Sequence, residues 1–313
     1  FFNEFDIYSK YQSVKVNGTY PKTIYDTLSV TFNNLDVSDF DILTSGIGLD
    51  IDGVIDGDLK ISGIKDKFTL LSNLDVKNIG VNDHVIGNAF IDANWNEPDT
   101  SIHINIEIIR DDINKKLLIF EGDYYTSRKN NNLDFDLKMN DFDINPVNTF
   151  AKKVISKVEG KLDGDFKIMG SLKKPLIIGD ASLNEAACKI NYLNTYYKIN
   201  PNEVRSNIEH YIRLTENKIE FHNLILVDTL NNRAVADGII THDYLKKFNF
   251  DIDMYLDNFI GMNMTSDKNT SFYGSAIASG TVKINGPLND ISMDIDATTN
   301  QGTTIDIMLN STA

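Results

Sequence analysis

The sequence predicts an all-β chain, an array of about three repeated β units with few short helices. Three observations predict it. Apolar and polar residues alternate with period two over long stretches. An eight-residue pattern recurs three times. And only one stretch carries a good helical pattern. Successive side chains of a strand point to opposite faces, so each alternating run has one apolar and one wet face.

The chain opens FFNEFDIYSK, which has no basic segment and no cleavage site and so is no signal peptide; it reads as the middle of a strand, and the chain is expected to be a fragment of a longer protein. Phe32-Asn33-Asn34-Leu35 then sets apolar, Asn/Asp, Asn/Asp, apolar, a pattern that returns at Met139-Asn140-Asp141-Phe142 and Leu256-Asp257-Asn258-Phe259. A short turn starting at Ser38 carries Phe40 and Leu43. DGDLKISG follows at 56–63, DGDFKIMG at 163–170 and SGTVKING at 279–286. The first glycines, Gly57, Gly164 and Gly280, lie 164 − 57 = 107 and 280 − 164 = 116 residues apart. They follow the preceding landmark by 57 − 35 = 22, 164 − 142 = 22 and 280 − 259 = 21 residues. Two landmarks held in register three times mark internal repeats, and glycines at the ends of a short strand predict bulges or tight bends. The units run 1–144, 145–257 and 258–313, as one continuous array.

Ile102, Ile104, Ile106 and Ile108 alternate with His103, Asn105 and Glu107. Leu133, Phe135, Leu137 and Met139 alternate with Asp134, Asp136 and Lys138. The second unit opens with a helix expected from Pro146 to about Ser156. Asn145 is its cap, Val147, Phe150 and Val154 share a face, Lys152, Lys153 and Lys157 suit its C-terminal end, and Gly160 follows. The longest alternating run holds Phe248, Phe250, Ile252, Met254 and Leu256. The third unit adds Ile291, Met293 and Ile295, then Ile305, Ile307 and Leu309. One wet face per strand points to a mainly antiparallel sheet that is not sandwiched between helices. Too few helices remain to cover the apolar faces. Either two faces meet in a sandwich, or the sheet forms a trough whose floor a ligand covers.

At 313 residues with 42% hydrophobic and 24% charged residues, the chain is expected to fold. No stretch approaches the roughly 20 apolar residues of a spanning helix. The net charge of −15 repels a nucleic-acid backbone and leaves no nucleic-acid partner to expect. One cysteine, Cys188, supports neither a disulfide framework nor a cysteine metal site, and reads as a small core residue. Asp50, Asp52, Asp56 and Asp58 beside Gly53 and Gly57 invite a calcium reading. The EF-hand spacing fails, since Gly53 is fourth and Ile61 stands where the twelfth-position Glu is needed, and the acids read as turn residues facing water. His84, His103, His210, His222 and His242 show no zinc spacing, and His103 and His222 are expected at the surface. No nucleophile or phosphate-loop motif appears, so neither an enzyme nor a cofactor nor a metal is expected.

The stretch FYGSAIASGTVKINGP (272–287), continued by DISMDIDATTNQGTTIDIML (290–309), resembles the C-terminal region of the TamB family. These are translocation and assembly module proteins of the AsmA-like group in bacterial envelopes. LDGDFKIMGSLKKPLIIGDASLNEA (162–186) and IDGDLKISG (55–63) are similar to it too. The resemblance implies an elongated sheet curled into a "β-taco" with an apolar groove. It implies the periplasm, with an N-terminal inner-membrane anchor outside this stretch. It further implies a part in outer-membrane biogenesis, with phospholipids carried between the membranes, and an outer-membrane barrel partner of the TamA or BamA type bearing POTRA domains, reached through segments outside this one. On this reading Ile102, Ile104, Ile106, Leu133, Phe135, Leu137 and Met139 line the groove against phospholipid acyl chains. So do Phe248, Phe250, Ile252, Met254, Leu256, Ile291, Met293, Ile295, Ile305 and Ile307. The alternative of another class is a structural or adhesive β-sandwich array, in which those faces interlock and no groove remains.

Overall fold

A computed structural model describes the chain except for residues 1, 20–22, 24–25, 41–49, 64–68, 83, 97, 111–113, 149–154, 200–210, 245, 268–271 and 308–313. It is all-β, with helical structure among the described residues confined to single turns. It divides into two compact units. One holds residues 1–142 and 164–177, the other 143–163 and 178–313.

The first unit is an antiparallel meander of β1 (Phe2–Tyr8), β2 (Ser13–Gly18), β3 (Thr27–Asp36), β4 (Ile51–Ser62), β5 (Thr69–Val81), β6 (His84–Asn96), β7 (Ser101–Arg110), β8 (Lys115–Tyr125) and β9 (Leu133–Asp143). Each strand pairs with the next in sequence. Beyond β9 come β10 (Ile155–Ser171) and β11 (Lys174–Ile190), whose hairpin tip belongs to this unit. Lys167 of that tip bridges Asp134 at 2.7 Å and Asp136 at 3.2 Å.

The second unit holds the legs of that hairpin, then β12 (Thr195–Ile199), β13 (Tyr211–Leu214), β14 (Lys218–Val227), β15 (Arg233–Asp243), β16 (Lys246–Met264), β17 (Phe272–Pro287), β18 (Ser292–Thr299) and β19 (Thr304–Ile307). β12 and β13 share one lane between β11 and β14. β18 and β19 likewise share one lane beside β17.

The two repeated landmarks meet in space. Phe32 pairs with Gly57 and Leu35 with Ile55, so β3 carries an extra residue there; Leu256 pairs with Gly280 and Phe259 with Ala278, giving β16 the same bulge. Asn34 and Asn258 sit inside these bulges at φ 47 and 52, and Asp141 of the middle landmark has φ 54. Asparagine tolerates this left-handed conformation better than most residues. The bulge frees a backbone N–H from the ladder, and a neighbouring side chain takes it. Asn34 N–H donates to Asp56 Oδ1 at 2.8 Å, and Asn258 N–H to Ser279 Oγ at 2.9 Å. The same device recurs outside the repeats, with Asn78 donating to Asn88 Oδ1 and Asn223 to Asp237 Oδ1. Opposite the bulge only glycine fits: a Cβ on Gly57 (φ +135) would lie 2.2 Å from Asn73 O, and one on Gly280 (φ +147) 2.3 Å from Asp296 O.

Four expectations are corrected. The glycine motifs do not bracket short strands; they lie within or at the end of strands of 12, 17 and 16 residues. The helix expected over 146–156 begins as a 3-10 turn at Asn145–Val147, and Ile155 and Ser156 already belong to β10; residues 149–154 lie outside the described residues. Nor does Asn145 cap it: Ile144 holds that position without a side-chain bond, and Asn145 N–H donates to Asp143 Oδ1. Asn148 ties the turn to β10 instead, its Oδ1 accepting from Val158 N–H at 2.8 Å and its Nδ2 donating to Val158 O at 3.0 Å. Gly160, expected beyond the helix, is a mid-strand residue of β10 at φ +124, packed on Ala186. Near Ser38 the chain forms a 3-10 turn over Val37–Phe40, with Ser38 N–H donating to Asp36 Oδ1; Leu43 lies outside the described residues, as does Leu309.

Candidate functional site

Register sorts the side chains of each sheet into two chemically distinct faces. Directly paired residues share a face, so cross-strand partners trace rows. In the first unit one row runs Ile7, Val14, Phe32, Gly57, Leu74, Ile91, Ile106, Phe120, Leu137 from β1 to β9 without a polar residue. The next row on the other face runs Asp6, Lys15, Thr31, Asp58, Asn73, Asp92, Asn105, Glu121, Asp136, all polar. Ile102, Ile104 and Ile106 pair with Tyr124, Gly122 and Phe120, which in turn pair with Leu133, Phe135 and Leu137; Met139 joins through Leu118. The structure thus brings all seven residues expected in this unit to one face.

The second unit repeats the division. Ala186, Ile199, Leu226, Ala234, Leu256, Gly280 and Ala297 form one row; Ala236, Met254, Val282 and Ile295 form the next; Phe221, Gly238, Ile252, Ile284 and Met293 a third. Phe250 lies between Ile240 and Gly286 on the same side, and Phe248 has the same parity, its ring edge-on to His242 at 6.1 Å. Ile305 and Ile307 pair with Gly274 and Phe272. Ile291 stands one residue before β18. Glycine at 238 leaves a notch: a Cβ there would lie 2.5 Å from Phe221 Cζ and 2.9 Å from Ile252 Cγ1.

These faces are not uniformly sealed. In β7, Ile102, Ile104 and Ile106 are half-buried, and so are His103, Asn105 and Glu107 on the other side. A second packed layer would bury one parity and leave the other wet. Toward the edge lane of the second unit the apolar side opens further, with Ile295 66% and Ile307 68% exposed. Each face is anchored by one compact cluster. In the first unit Val76, Ile86, Ala89, Ile108 and Leu117 are buried together. In the second, Tyr197, Ala234, Leu256 and Phe259 are, with the Tyr197 and Phe259 rings stacked at 4.7 Å.

Polar groups at the second cluster are spent on the backbone. Tyr197 Oη donates to Ile260 O at 2.7 Å, and burial pushes its phenol up. Asp228, itself buried, accepts Ile260 N–H at 2.8 Å, Leu230 N–H at 2.8 Å and Asn232 N–H at 2.9 Å, fastening the β14–β15 turn to β16. Alternation gave no signal for this staple, because it depends on strands 32 residues apart.

The remaining candidates resolve as follows. Asp56 accepts from Asn34 N–H and pairs with Lys77 at 3.1 Å, and that backbone bond foremost holds its carboxyl below the usual range. Asp58 accepts from Thr31 Oγ1 at 2.6 Å. These acids serve the sheet, and among the described residues no group of His, Cys, Asp and Glu is placed to hold a metal. His103 is half-buried beside Glu121 and Asp123, and His222 is exposed beside Asp237. Cys188 pairs with Tyr197 on the apolar face, and burial raises its thiol to about 11. Among the described residues no helix is long and apolar enough to cross a membrane. No protein-family model, curated protein or solved structure matches the chain.

Proposed function

We propose that the chain is a periplasmic segment of a TamB-like envelope protein whose apolar faces carry phospholipid acyl chains between the inner and outer membranes. It serves outer-membrane biogenesis together with a barrel partner of the TamA or BamA type, reached through segments outside this one. The observation that carries this reading is the uninterrupted apolar row across nine strands, none of whose members is fully buried. Neighbouring strands lie about 4.8 Å apart, so eight gaps give roughly 38 Å of apolar surface. That exceeds the roughly 30 Å thickness of a bilayer's hydrocarbon core, which two acyl layers fill, so one tail fits across the row. Covering a tail yields about 0.8 kcal/mol per methylene, enough for partial cover to offset the exposed floor. Continuity rather than any one residue is what such a surface requires, and carrying a tail makes or breaks no bond.

Photo-crosslinking residues placed at Phe250 and at Asp251 in cells test the proposal. Phe250 lies on the apolar face and Asp251, next in sequence, on the polar one. Lipid adducts from position 250 and not from 251 are expected. Equal labelling from both, or from neither, overturns the reading.

A further inference from the structure

One end of the first unit gathers basic residues in a chain whose net charge is −15. The loop 126–132, between β8 and β9, carries Arg128 and Lys129. The tip between β10 and β11 carries Leu172 and Lys173, and Lys174 opens β11. Lys167 meets Asp134 and Lys138 meets Asp165, so β10 runs antiparallel to β9 and the two tips lie side by side. The longer loop is braced. Tyr125 N–H donates to Asn132 O at 2.9 Å, Thr126 N–H donates to Thr100 O at 3.1 Å, and the hydroxyls of Thr100 and Ser127 meet at 2.8 Å. On that brace the Arg128 guanidinium lies over the Tyr125 ring, 3.3 Å from its centroid, and spends one nitrogen on Asn131 O at 3.5 Å. Arg128, Lys129 and Lys173 are exposed and make no ion pair among the described residues. Asp99, in the turn next to the loop, already accepts from Asn96 Nδ2. Leu172 is 70% exposed in a tight turn, a place that Gly, Asn, Asp and Ser usually take.

We infer that these two tips are a contact for a membrane surface of anionic phospholipid. Arg128, Lys129 and Lys173 meet headgroup phosphates while Leu172 enters the acyl boundary. A stacked guanidinium is held flat with donors to spare, which suits the paired oxygens of a phosphate, and each lysine adds a point charge. Attraction between basic residues and an anionic surface fades within a Debye length, about 8 Å at physiological ionic strength. That range admits the tips and screens the acidic rows behind them, of which Asp134 and Asp136 are already bridged by Lys167. A nucleic acid would use the charges but has no use for an exposed leucine. The contact goes beyond the proposed function and does not depend on it, since a chain docks on a membrane whether or not its apolar face carries tails.

Flotation of the whole chain with vesicles of equal parts phosphatidylcholine and phosphatidylglycerol, at physiological ionic strength, tests the contact. Each basic residue at such a surface is worth about fivefold in binding, so Arg128→Gln/Lys129→Gln/Lys173→Gln should bind roughly thirtyfold more weakly or worse. Leu172→Ser should bind about fivefold more weakly. Lys10→Gln/Lys15→Gln/Lys60→Gln loses the same charge from exposed positions on β4 and before it, and should match the parent. Vesicles of phosphatidylcholine alone should float none of these proteins. Equal loss in the two triple variants reduces the effect to net charge and overturns the contact, and so does a parent that does not float. Duplex DNA held as tightly as the vesicles, with no loss in Leu172→Ser, gives the tips to nucleic acid and overturns the membrane. The lipid adducts expected at position 250 are read separately, so a failure of vesicle binding and a failure of the apolar face are told apart.

Discussion

Replacing Ile252 with arginine distinguishes an open apolar face from a sealed one. Ile252 lies mid-strand in β16, opposite Gly238 on one side and Ile284 on the other, and is half-buried. Full burial of an isoleucine side chain is worth about 1.5–3 kcal/mol. The stem of an arginine recovers part of that contact while its guanidinium reaches water, provided the face is open. The expected loss is therefore about 1–2 kcal/mol. If a second layer sealed the face, the charge would be buried without a partner, and the loss would be on the order of 4 kcal/mol or more. Asp253→Arg is the control. Asp253 is 65% exposed and pairs with Lys283 at 3.3 Å, a solvent-screened contact whose reversal costs under about 1 kcal/mol. Urea unfolding followed by far-ultraviolet circular dichroism reads the difference. With m near about 3 kcal/mol per molar, Ile252→Arg should lower the midpoint by roughly half a molar. A loss three times larger, or a chain that no longer folds, while Asp253→Arg stays near the parent, refutes the open face and favours interlocked sheets.

Gly280→Ala should destabilise by more than about 2 kcal/mol, because its Cβ would lie 2.3 Å from Asp296 O at φ +147, whereas Gly261→Ala, with no atom within 4 Å, should be neutral or slightly stabilising in the same melt. Cys188 should resist a disulfide reagent at pH 8 in the native protein and react within seconds once urea unfolds it, since burial holds its thiol at about 11 and leaves about one thiolate in a thousand; fast native labelling contradicts that burial. Asp56 has a folded pKa below its ordinary 3.8, so its contribution is present above that value and lost as pH falls through the lower one; Asp56→Asn should flatten the fall in stability below about pH 4, and an unchanged acid limb contradicts the assigned bond to Asn34.

The faces were legible in the sequence and the register was not. Alternation around Ile102, Phe135 and Phe250 names which residues share a side of their own strand, because a side-chain period of two is a local property. It cannot say that Ile106 meets Phe120, or that Gly238 makes room for Ile252, since those meetings depend on hairpin geometry and bulges. The stretch after Pro146 shows the limit from the other side. Its helical spacing is local and real, yet Ile155 and Ser156 belong to a 17-residue strand, held at Val158 by the side chain of Asn148. Pairing along that length outweighs a propensity of a few tenths of a kcal/mol per residue.

The repeat that first marks the chain encodes backbone geometry rather than a ligand site, and the third copy decides this. Asp56 and Ser279 occupy the same place in DGDLKISG and SGTVKING, one charged and one neutral. Both accept the N–H that a left-handed asparagine frees from the ladder. A metal or cationic ligand would have required the charge, whereas a hydrogen bond to a bulge needs only an acceptor oxygen. The adjacent glycine admits no Cβ in either copy, because the partner strand's carbonyl occupies that space. Bulges increase local twist and bend the strand that carries them. Register places the rows of Val, Leu, Ile and Phe together on one side of the strands so bent. The repeated eight residues therefore shape the surface, and the alternating runs between them supply its chemistry.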